Sequence, residues 1–319
     1  MKLAVLMDPV ADLIAYKDTT VAMLKRAMDF GWRCVFFTKN DLCCRDGKAY
    51  AQTYSIKIGE VAKPGWAEVT SLGEQPLSDF NIILMRQDPP FDLEYIYATY
   101  ALELAEKEGV LVVNKPQSLR DHNEKFFTLN FPQCCPPTLV TNNIKQLQGF
   151  WQQHQQVIFK PLAAMGGNSV FYVNETGHNL AVILEVLTKN QKTTIMAQKF
   201  ISDLTSTGDK RIILINGEPV DYAVARIPAP GEFRGNLAAG GHGEVVPLNA
   251  RDRWVCAQIS ATLKDQGLYF VGIDVIGDYL TEINVTSPTC LCDLEAASAL
   301  DLSGHFLNIL ANLVALRHS

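Results

Sequence analysis

A chain of 319 residues with 48% apolar and 19% charged residues is long enough for two or three domains with a sizeable core. Its net charge of −6 and its lack of any cluster of five basic residues argue against a nucleic-acid partner, whose phosphates need a field of Lys and Arg. The first apolar run is too short for a signal peptide, no apolar stretch reaches membrane-span length, and the eight cysteines lack metal or redox spacing. We therefore expect a cytoplasmic protein with reduced thiols and no membrane partner.

Residues 1–120 alternate predicted strands and helices, a pattern typical of a parallel sheet covered by helices. The predicted strands are Leu3–Met7, Cys34–Thr38, Asn81–Met85 and Val110–Val113. The predicted helices are one that Asp18-Thr19 can cap and that runs to Phe30, with Gly31 as its stop, and a second at Asp92–Glu108. In the second helix, Ile96, Tyr100 and Leu104 share one face, as in an amphipathic helix. This part contains no G-x-G-x-x-G sequence, so a dinucleotide site is not indicated.

Residues 121–200 predict a small α+β unit built around a glycine-containing hairpin. Strand Val157–Lys160 leads into the loop 161–169 and strand Val170–Val173 leads out of it, so the loop tip can lie over a ligand. The other predicted elements are a short helix at Asn123–Asn130, helices at Ile144–His154 and Leu180–Thr188, and an apolar segment at Thr194–Phe200.

Residues 201–319 combine strands and helices with one long glycine-rich loop. The predicted strands are Arg211–Ile215, Pro219–Arg226, Tyr269–Ile276 and Leu280–Val285, and the predicted helices are Arg251–Gln266 and His305–Leu316. The loop 227–243 contains five glycines and few side chains that could pack. A loop this long inside a compact domain is usually functional or disordered, and we predict that it is mobile.

Asp274, Glu282 and Asn284 are the most informative polar residues because they lie in two strands around a predicted turn. Glu282 and Asn284 are two residues apart and therefore point to the same face of one strand. A three-residue loop over 277–279 would place Asp274 opposite Glu282 on that face, whereas a two-residue loop would place it on the other face. Such oxygen ligands suit Mg²⁺, and the alternative is a solvated hairpin with a polar outer face.

Lys160 ends an apolar strand just before the glycine loop, where its cation and the N–H groups of Gly166 and Gly167 can meet phosphate oxygens. Taken singly, Lys125 and Lys160 are ordinary surface charges and the glycines an ordinary turn, but their adjacency favours a phosphate site. The backbone of Gln198–Ile201, at the end of an apolar segment, can hold an adenine edge, although a core strand would show the same pattern.

Arg211, Arg226 and Arg234 could recognise carboxylates and a transferring phosphoryl group if they surrounded one site. From their spacing alone, scattered surface arginines are the simpler interpretation. The six histidines stand singly, and neither a catalytic triad, a zinc motif nor a general base is evident in the sequence.

Two lysines, a glycine hairpin, arginines and then Asp…Glu-x-Asn, in this order, resemble the ATP-grasp ligases and, more narrowly, the bacterial glutathione synthetase family. The segments that carry the resemblance are Met85–Asp92, Val113–Asp121, Gly208–Arg211, Arg234–Gly241 and Thr281–Thr289. The resemblance implies an α/β and α+β fold in three domains. They are an N-terminal parallel-sheet α/β domain at 1–120, an ATP-grasp lid domain at 121–200, and a central ATP-grasp domain at 201–319 that carries the mobile loop 227–243.

The same resemblance implies that ATP drives the joining of γ-glutamylcysteine and glycine to glutathione in a homotetramer, with Mg²⁺, or Mn²⁺, as the metal. The implied ATP contacts are Lys125, Lys160, Met165, Gly166, Gly167, Gln198, Lys199, Phe200, Ile201 and Asp209. The implied metal ligands are Asp274, Glu282 and Asn284. The implied catalytic residues are Lys160, Arg211 and Arg234, and the implied substrate contacts are Arg226, Arg234, Asn236 and Ser287.

Two positions depart from the family pattern: Ala164 stands where the hairpin usually has a glycine, and Cys292 stands where an arginine is usual. Two alternative functions stay open. A ligase for a different acid and amine would share the phosphate residues and differ on the substrate side, near Arg226, Arg234 and residues 88–90. The second alternative is a nucleotide-binding regulator that has lost catalysis. The presence of the expected site residues argues against it; they are Lys160, Arg211, Asp274, Glu282 and Asn284.

Overall fold

The computed structural model describes residues 1–229, 232 and 241–317, and the strands in this part of the chain form three sheets. The first sheet lies in residues 2–113, the second in residues 138–199, and the third in residues 209–284. The mixed α/β and α+β class predicted from the sequence is confirmed.

The first sheet has seven strands, of which four are parallel. They are β1 (Lys2–Leu6), β2 (Arg33–Phe37), β3 (Leu42–Arg45), β4 (Lys48–Ile58), β5 (Ala67–Pro76), β6 (Ile82–Met85) and β7 (Leu111–Val113). The predicted parallel strands correspond to β1, β2, β6 and β7, while β3, β4 and β5 are antiparallel additions that the sequence analysis does not predict. The side chains of β5 are mostly exposed, so its sequence lacks the apolar alternation that reveals a strand.

Three helices belong to this part of the chain: α1 (Thr19–Asp29), α2 (Leu93–Lys107) and α3 (Pro116–Asp121). The predicted Asp18 cap is present, because its carboxylate accepts from two N–H groups in the first turn of α1. The predicted face of α2 is wrong, since Tyr100 is 52% exposed whereas Tyr95 and Leu102 are fully buried. The buried face of α2 also carries Ala98, Ala101 and Ala105. Their small side chains let the helix pack close to the sheet, but they give only a weak hydrophobic periodicity in the sequence.

The second sheet forms a small unit with its own core. Its strands are β8 (Thr138–Thr141), β9 (Val157–Pro161), β10 (Phe171–Val173) and β11 (Ile195–Lys199), and its helices are α4 (Ile144–His154) and α5 (Leu180–Leu187). Leu147, Phe159 and Leu184 belong to an apolar cluster that includes no residue of the other two sheets. The predicted hairpin is present as the antiparallel pair β9–β10, and a 3₁₀ helix occupies Phe126–Asn130 where a short helix is predicted.

The third sheet is antiparallel, in the order β14-β13-β12-β15-β16. Its strands are β12 (Asp209–Ile215), β13 (Glu218–Ile227), β14 (His242–Pro247), β15 (Phe270–Ile276) and β16 (Tyr279–Asn284), and its helices are α6 (Leu204–Thr207), α7 (Ala250–Asp265), α8 (Leu291–Ser298) and α9 (Leu302–Arg317). Most of the predicted mobile loop 227–243 lies outside the described residues. Among the described helices none is by itself long and apolar enough to cross a membrane, and α8 with α9 passes that test only as a pair bent by 116°.

The turn between β15 and β16 decides which face Asp274 occupies. Ile276 pairs with Tyr279, so the loop has two residues, which would place Asp274 on the face opposite to Glu282 in a regular hairpin. A β-bulge follows, in which Thr281 is the extra residue, and Asp274 pairs directly with Glu282. The loop is therefore the two-residue alternative, and the bulge supplies the pairing of Asp274 with Glu282 that a three-residue loop would have given.

Candidate active site

A cleft of about 790 Å³ lies between the second sheet and the third. The residues that line it include Lys125, Lys160, Met165, Gly166, Gly167, Gln198, Lys199, Phe200, Ile201, Asp209, Asp274 and Glu282. All ten predicted ATP contacts thus line one cleft, together with two of the three predicted metal ligands.

Two buried lysines converge on one carboxylate in this cleft. The Nζ atoms of Lys125 and Lys160 lie 3.6 and 3.7 Å from Glu282 Oε1. Burial lowers the pKa of Lys160, while the nearby Glu282 charge acts in the opposite direction. Burial alone would raise the pKa of Glu282, but the two lysines overcome this effect and lower it. The cluster carries two positive charges against one carboxylate, which suits the binding of an anion such as a phosphate group.

The glycine hairpin covers the cleft with backbone that needs positive φ. Gly166 and Gly167 have φ angles of 61° and 77°, a region that glycine adopts without strain. Ala164, where the family usually has a glycine, is not among the residues with positive φ, so its methyl group adds no backbone strain. Its carbonyl oxygen accepts from Lys125 Nζ at 2.6 Å, which ties the hairpin to the two buried lysines.

The other end of the cleft is the segment Gln198–Ile201. The N–H groups of Lys199 and Phe200 donate to Pro137 O and Gln156 O, so the local chain holds the segment in place. Among the described residues no acceptor receives the N–H group of Ile201, which lines the cleft. This free backbone donor beside apolar walls has the properties of an adenine-binding segment, as the sequence predicts.

Asp274 is the centre of a buried ion-pair network. Its Oδ1 and Oδ2 accept from Arg211 Nε at 2.5 Å and Nη2 at 3.1 Å, and Arg226 Nη2 lies 2.9 Å from Oδ2. Burial alone would raise the pKa of Asp274, but the two guanidinium groups hold it well below its usual range. Arg226 also pairs with Asp209 at 2.5 Å, and burial raises the pKa of Asp209 to about 7. The two arginines are therefore fixed in place, with their orientation set by two carboxylates.

Gly272 lets Arg211 lie flat against β15. A Cβ atom at this position would come within 2.8 Å of Pro288 Cβ and 3.0 Å of Arg211 Cδ. If Arg211 has the catalytic role that the family resemblance implies, Gly272→Ala should lower kcat/KM by about 10- to 100-fold, because a small displacement of an aligned catalytic group is costly. Steady-state ADP release measures this change. Gly149→Ala, on the exposed side of α4 with no atom within 4 Å of the new Cβ, is the matched control and should keep wild-type activity.

A second cavity, of about 950 Å³, adjoins the cleft and shares Met165, Gly166, Asp274 and Glu282 with it. Its other lining residues include Asp88, Glu124, Arg211, Arg226, Asn284, Thr286, Ser287 and Cys290. Ser287 Oγ donates to Asp88 Oδ1, so this predicted substrate contact is linked to the first sheet. Two further predicted residues, Arg234 and Asn236, lie outside the described residues.

The three predicted metal ligands fit a hard divalent cation when the asparagine is included. Asp274 and Glu282 are paired across the strands, and Asn284 faces the same cavity. A carboxylate has about four lone-pair sites, and Asp274 uses three of them for its arginines. Within the described residues no cluster of three His, Cys, Asp or Glu side chains could hold a metal, so the set depends on the Asn284 amide oxygen.

Glu124 and Cys292 show the limits of sequence reasoning about this site. Glu124 lines the second cavity but carries no motif of its own, and its position depends on a backbone hydrogen bond of 2.8 Å from Ile283 N to Glu124 O. Cys292, at the position of the family arginine, lines neither cavity, and its Sγ lies 3.5 Å from Asp18 O at the start of α1. Cys292 itself therefore contributes nothing to the lining of the two cavities.

Comparison with known protein families gives two matches that together cover most of the chain. The model described as prokaryotic glutathione synthetase, N-terminal domain, matches residues 1–120, and the model of the ATP-grasp domain of prokaryotic glutathione synthetase matches residues 124–299. A glutathione synthetase from Pseudomonas putida is 50% identical over 309 residues, covering 97% of this chain and 96% of the relative. One from Escherichia coli O127:H6 is 49% identical over 308 residues, covering 97% of each.

Solved structures show the same fold at low sequence identity. The D-cycloserine synthetase DcsG aligns with a TM-score of 0.70 and 13% identity, covering 98% of this chain and all of that one. The macrocyclase MdnC from Microcystis aeruginosa aligns with a TM-score of 0.61 and 16% identity, covering 98% and 100%. At these identities the similarity shows the fold alone. Because both family models match in order and the relatives are about half identical over nearly the full length, this chain belongs to the prokaryotic glutathione synthetase family of ATP-grasp ligases.

Proposed function

We propose that this protein is a glutathione synthase, which uses ATP to join γ-L-glutamyl-L-cysteine to glycine and releases ADP and phosphate. One observation carries the proposal from the structure. The cleft that suits a nucleotide and the cavity that contains two fixed arginines meet at Asp274 and Glu282. A γ-phosphoryl group held by Lys125 and Lys160 would therefore face an acid held by Arg211 and Arg226.

The reaction requires that the nucleotide and the acid meet, as they would where the cleft and the second cavity share Asp274 and Glu282. A carboxylate resists attack by an amine because it is resonance-stabilised and negatively charged. Transfer of the γ-phosphoryl group to the cysteinyl carboxylate gives an acyl phosphate, the glycine amine attacks its carbonyl carbon, and phosphate leaves. Catalysis of this kind consists mostly of positioning and charge neutralisation. In this role Lys160 offsets phosphate charge and Arg211 stabilises the transferring group or the oxyanion.

Mg²⁺ is the proposed metal, with Mn²⁺ as a substitute, and Asp274, Glu282 and Asn284 are its proposed ligands. Such an ion would neutralise charge on the nucleotide phosphates. The oxygen donors of these residues and the unused lone pair of Asp274 support this assignment. Removal of divalent metal by EDTA should abolish turnover, and added Mg²⁺ should restore it.

The remaining proposed roles concern substrate and water. Arg226 and Ser287, which line the second cavity, would contact γ-glutamylcysteine. We propose that Arg234 and Asn236 contact the peptide and that the loop 227–243 closes over the site to keep water from the acyl phosphate. Domain boundaries at residues 120 and 200, a homotetramer and a cytoplasmic location are also proposed from the family resemblance. Light scattering coupled to size exclusion tests the oligomer.

A coupled ADP-release assay with each substrate omitted in turn tests the function. We expect release that depends on both γ-glutamylcysteine and glycine, with glutathione formed in equal amount. A panel of other acids and amines serves as the comparison. Strong turnover with another pair and none with these two would assign the protein to a different ATP-grasp ligase reaction. A thermal shift with ATP but no turnover with any pair would indicate a nucleotide-binding regulator.

A further inference from the structure

The second cavity contains two carboxylates that the proposed reaction does not use, Asp88 and Glu124. Asp88 is exposed and accepts a hydrogen bond from Ser287 Oγ, whereas Glu124 is partly buried. Within the described residues, Asp274 is paired with two arginines and Glu282 faces two lysines. Glu124, which lines the same cavity, has no described cation within the 4.0 Å of an ion pair. Its Oε1 accepts one hydrogen bond, from Thr286 Oγ1 at 2.9 Å.

A partly buried carboxylate without a cation is electrostatically unfavourable. Burial raises the pKa of Glu124, and the negative charge of Glu282 raises it further, although Lys125 acts in the opposite direction. An unpaired anion in a ligand cavity is compensated when the ligand itself brings the cation. The geometry therefore leaves space for a positively charged group beside Glu124.

Asn284, which is also a proposed metal ligand, adds a buried polar side chain to the lining of this cavity. Its side chain is 8% exposed, and its Nδ2 atom is buried without a hydrogen-bond partner among the described residues. A buried donor without an acceptor costs free energy unless a ligand supplies one. The carboxylate of Glu124, which has no described cation beside it, complements the ammonium group of a free amino acid.

We propose that Glu124 binds the ammonium group of the incoming amino acid and thereby selects a zwitterionic acceptor. The inference rests on the proposed function and adds the acceptor subsite to it. The carbonyl oxygen of Glu124 accepts a hydrogen bond from the N–H group of Ile283, which lies between Glu282 and Asn284 in the sequence. The Glu124 side chain therefore lies beside the residues at which phosphoryl transfer is proposed. The attacking nitrogen of the amino acid must reach the acyl carbon beside these residues. The α-ammonium of γ-glutamylcysteine lies at the opposite end of the dipeptide from the reacting carboxylate.

The variant Glu124→Gln tests the proposal because glutamine keeps the shape and the acceptor for Thr286 and removes the charge. With glycine, kcat/KM should fall about 10- to 100-fold, mainly through KM, as expected for the loss of a charge-assisted hydrogen bond. The KM values for ATP and γ-glutamylcysteine should stay within about twofold of wild type. Glu124→Asp, which retains the charge, should recover part of the loss.

Hydroxylamine, which is mostly uncharged at neutral pH, separates ammonium binding from a structural role. It attacks the acyl phosphate through its nitrogen, loses a proton and releases phosphate, giving a hydroxamate. We expect kcat/KM for hydroxylamine to be nearly the same in wild type and in Glu124→Gln. The matched control is Glu106→Gln on α2, since burial also raises the pKa of Glu106 but it lines neither cavity.

Each other outcome overturns the assignment in a recognisable way. Equal losses of kcat/KM with glycine and with hydroxylamine would mean that Glu124 stabilises the cavity lining or the metal site. A raised KM for γ-glutamylcysteine alone would assign the carboxylate to the donor ammonium, and unchanged kinetics would remove it from binding altogether. If the wild-type protein shows no glycine-dependent ADP release, the proposed function itself fails, and the acceptor subsite fails with it.

Discussion

Replacement of Glu282 by alanine should lower metal-dependent turnover by about 100-fold or more while the protein stays folded. Loss of a residue that only orients a metal ligand typically costs about 10- to 100-fold in metal affinity or activity, and a direct ligand should cost at least as much. Glu282 has a second role, because it faces both Lys125 and Lys160. Without it the two lysines lose the carboxylate that orients both ammonium groups, so the ATP phosphates should be less well aligned for reaction.

Titration of ADP release with Mg²⁺ measures this effect, and circular dichroism checks that the variant is folded. The variant should need far more Mg²⁺ for half-maximal activity. Glu68→Ala is the matched control, because Glu68 is an exposed residue of β5 that pairs with Lys57 far from the cleft. An unchanged dependence on Mg²⁺ in Glu282→Ala would remove this residue from the metal site.

Replacement of Arg211 by methionine should lower kcat by about 10³-fold, since an arginine on a transferring phosphoryl group contributes a factor of this order. The same change should destabilise the fold by about 3 kcal/mol, because breaking a buried ion pair leaves Asp274 with incomplete compensation. Arg226 remains 2.9 Å from the Asp274 carboxylate and limits that cost. ADP release at saturating substrate gives the first quantity, and urea unfolding gives the second.

Arg211→Lys separates charge from geometry. Lysine keeps the charge but cannot form the two parallel hydrogen bonds to Asp274, so activity should stay well below wild type. Arg45→Met removes an exposed arginine that pairs with Glu74 in the first sheet, and it should leave kcat unchanged. Wild-type kcat in Arg211→Met would contradict a role in phosphoryl transfer.

Much of the fold is predictable because local signals and tertiary packing agree. Asp18 and Gly31 bound α1 as expected, and α4 occupies the predicted residues, Ile144–His154. Among the strands missed in the first sheet, β5 is mostly exposed and so has no apolar face to mark it, whereas β4 buries alternate residues that are mostly small or polar, such as Ala49, Ala51 and Thr53. The wrong face of α2 has a related cause, since small buried alanines resemble solvent-facing residues in a hydropathy pattern.

The sequence by itself, through its resemblance to the family, predicted ten residues that line one cleft, because the order of lysines, glycine hairpin and the residues Asp274, Glu282 and Asn284 is a linear signal. The tertiary structure decided how they act together. The bulge at Thr281 sets the face of Asp274, and bulges depend on strand pairing rather than on local composition. The commitment of Asp274 to two arginines and the unpaired charge of Glu124 likewise arise from contacts between residues far apart in the chain. Such contacts have no fixed spacing along the sequence, and only the folded chain brings them together.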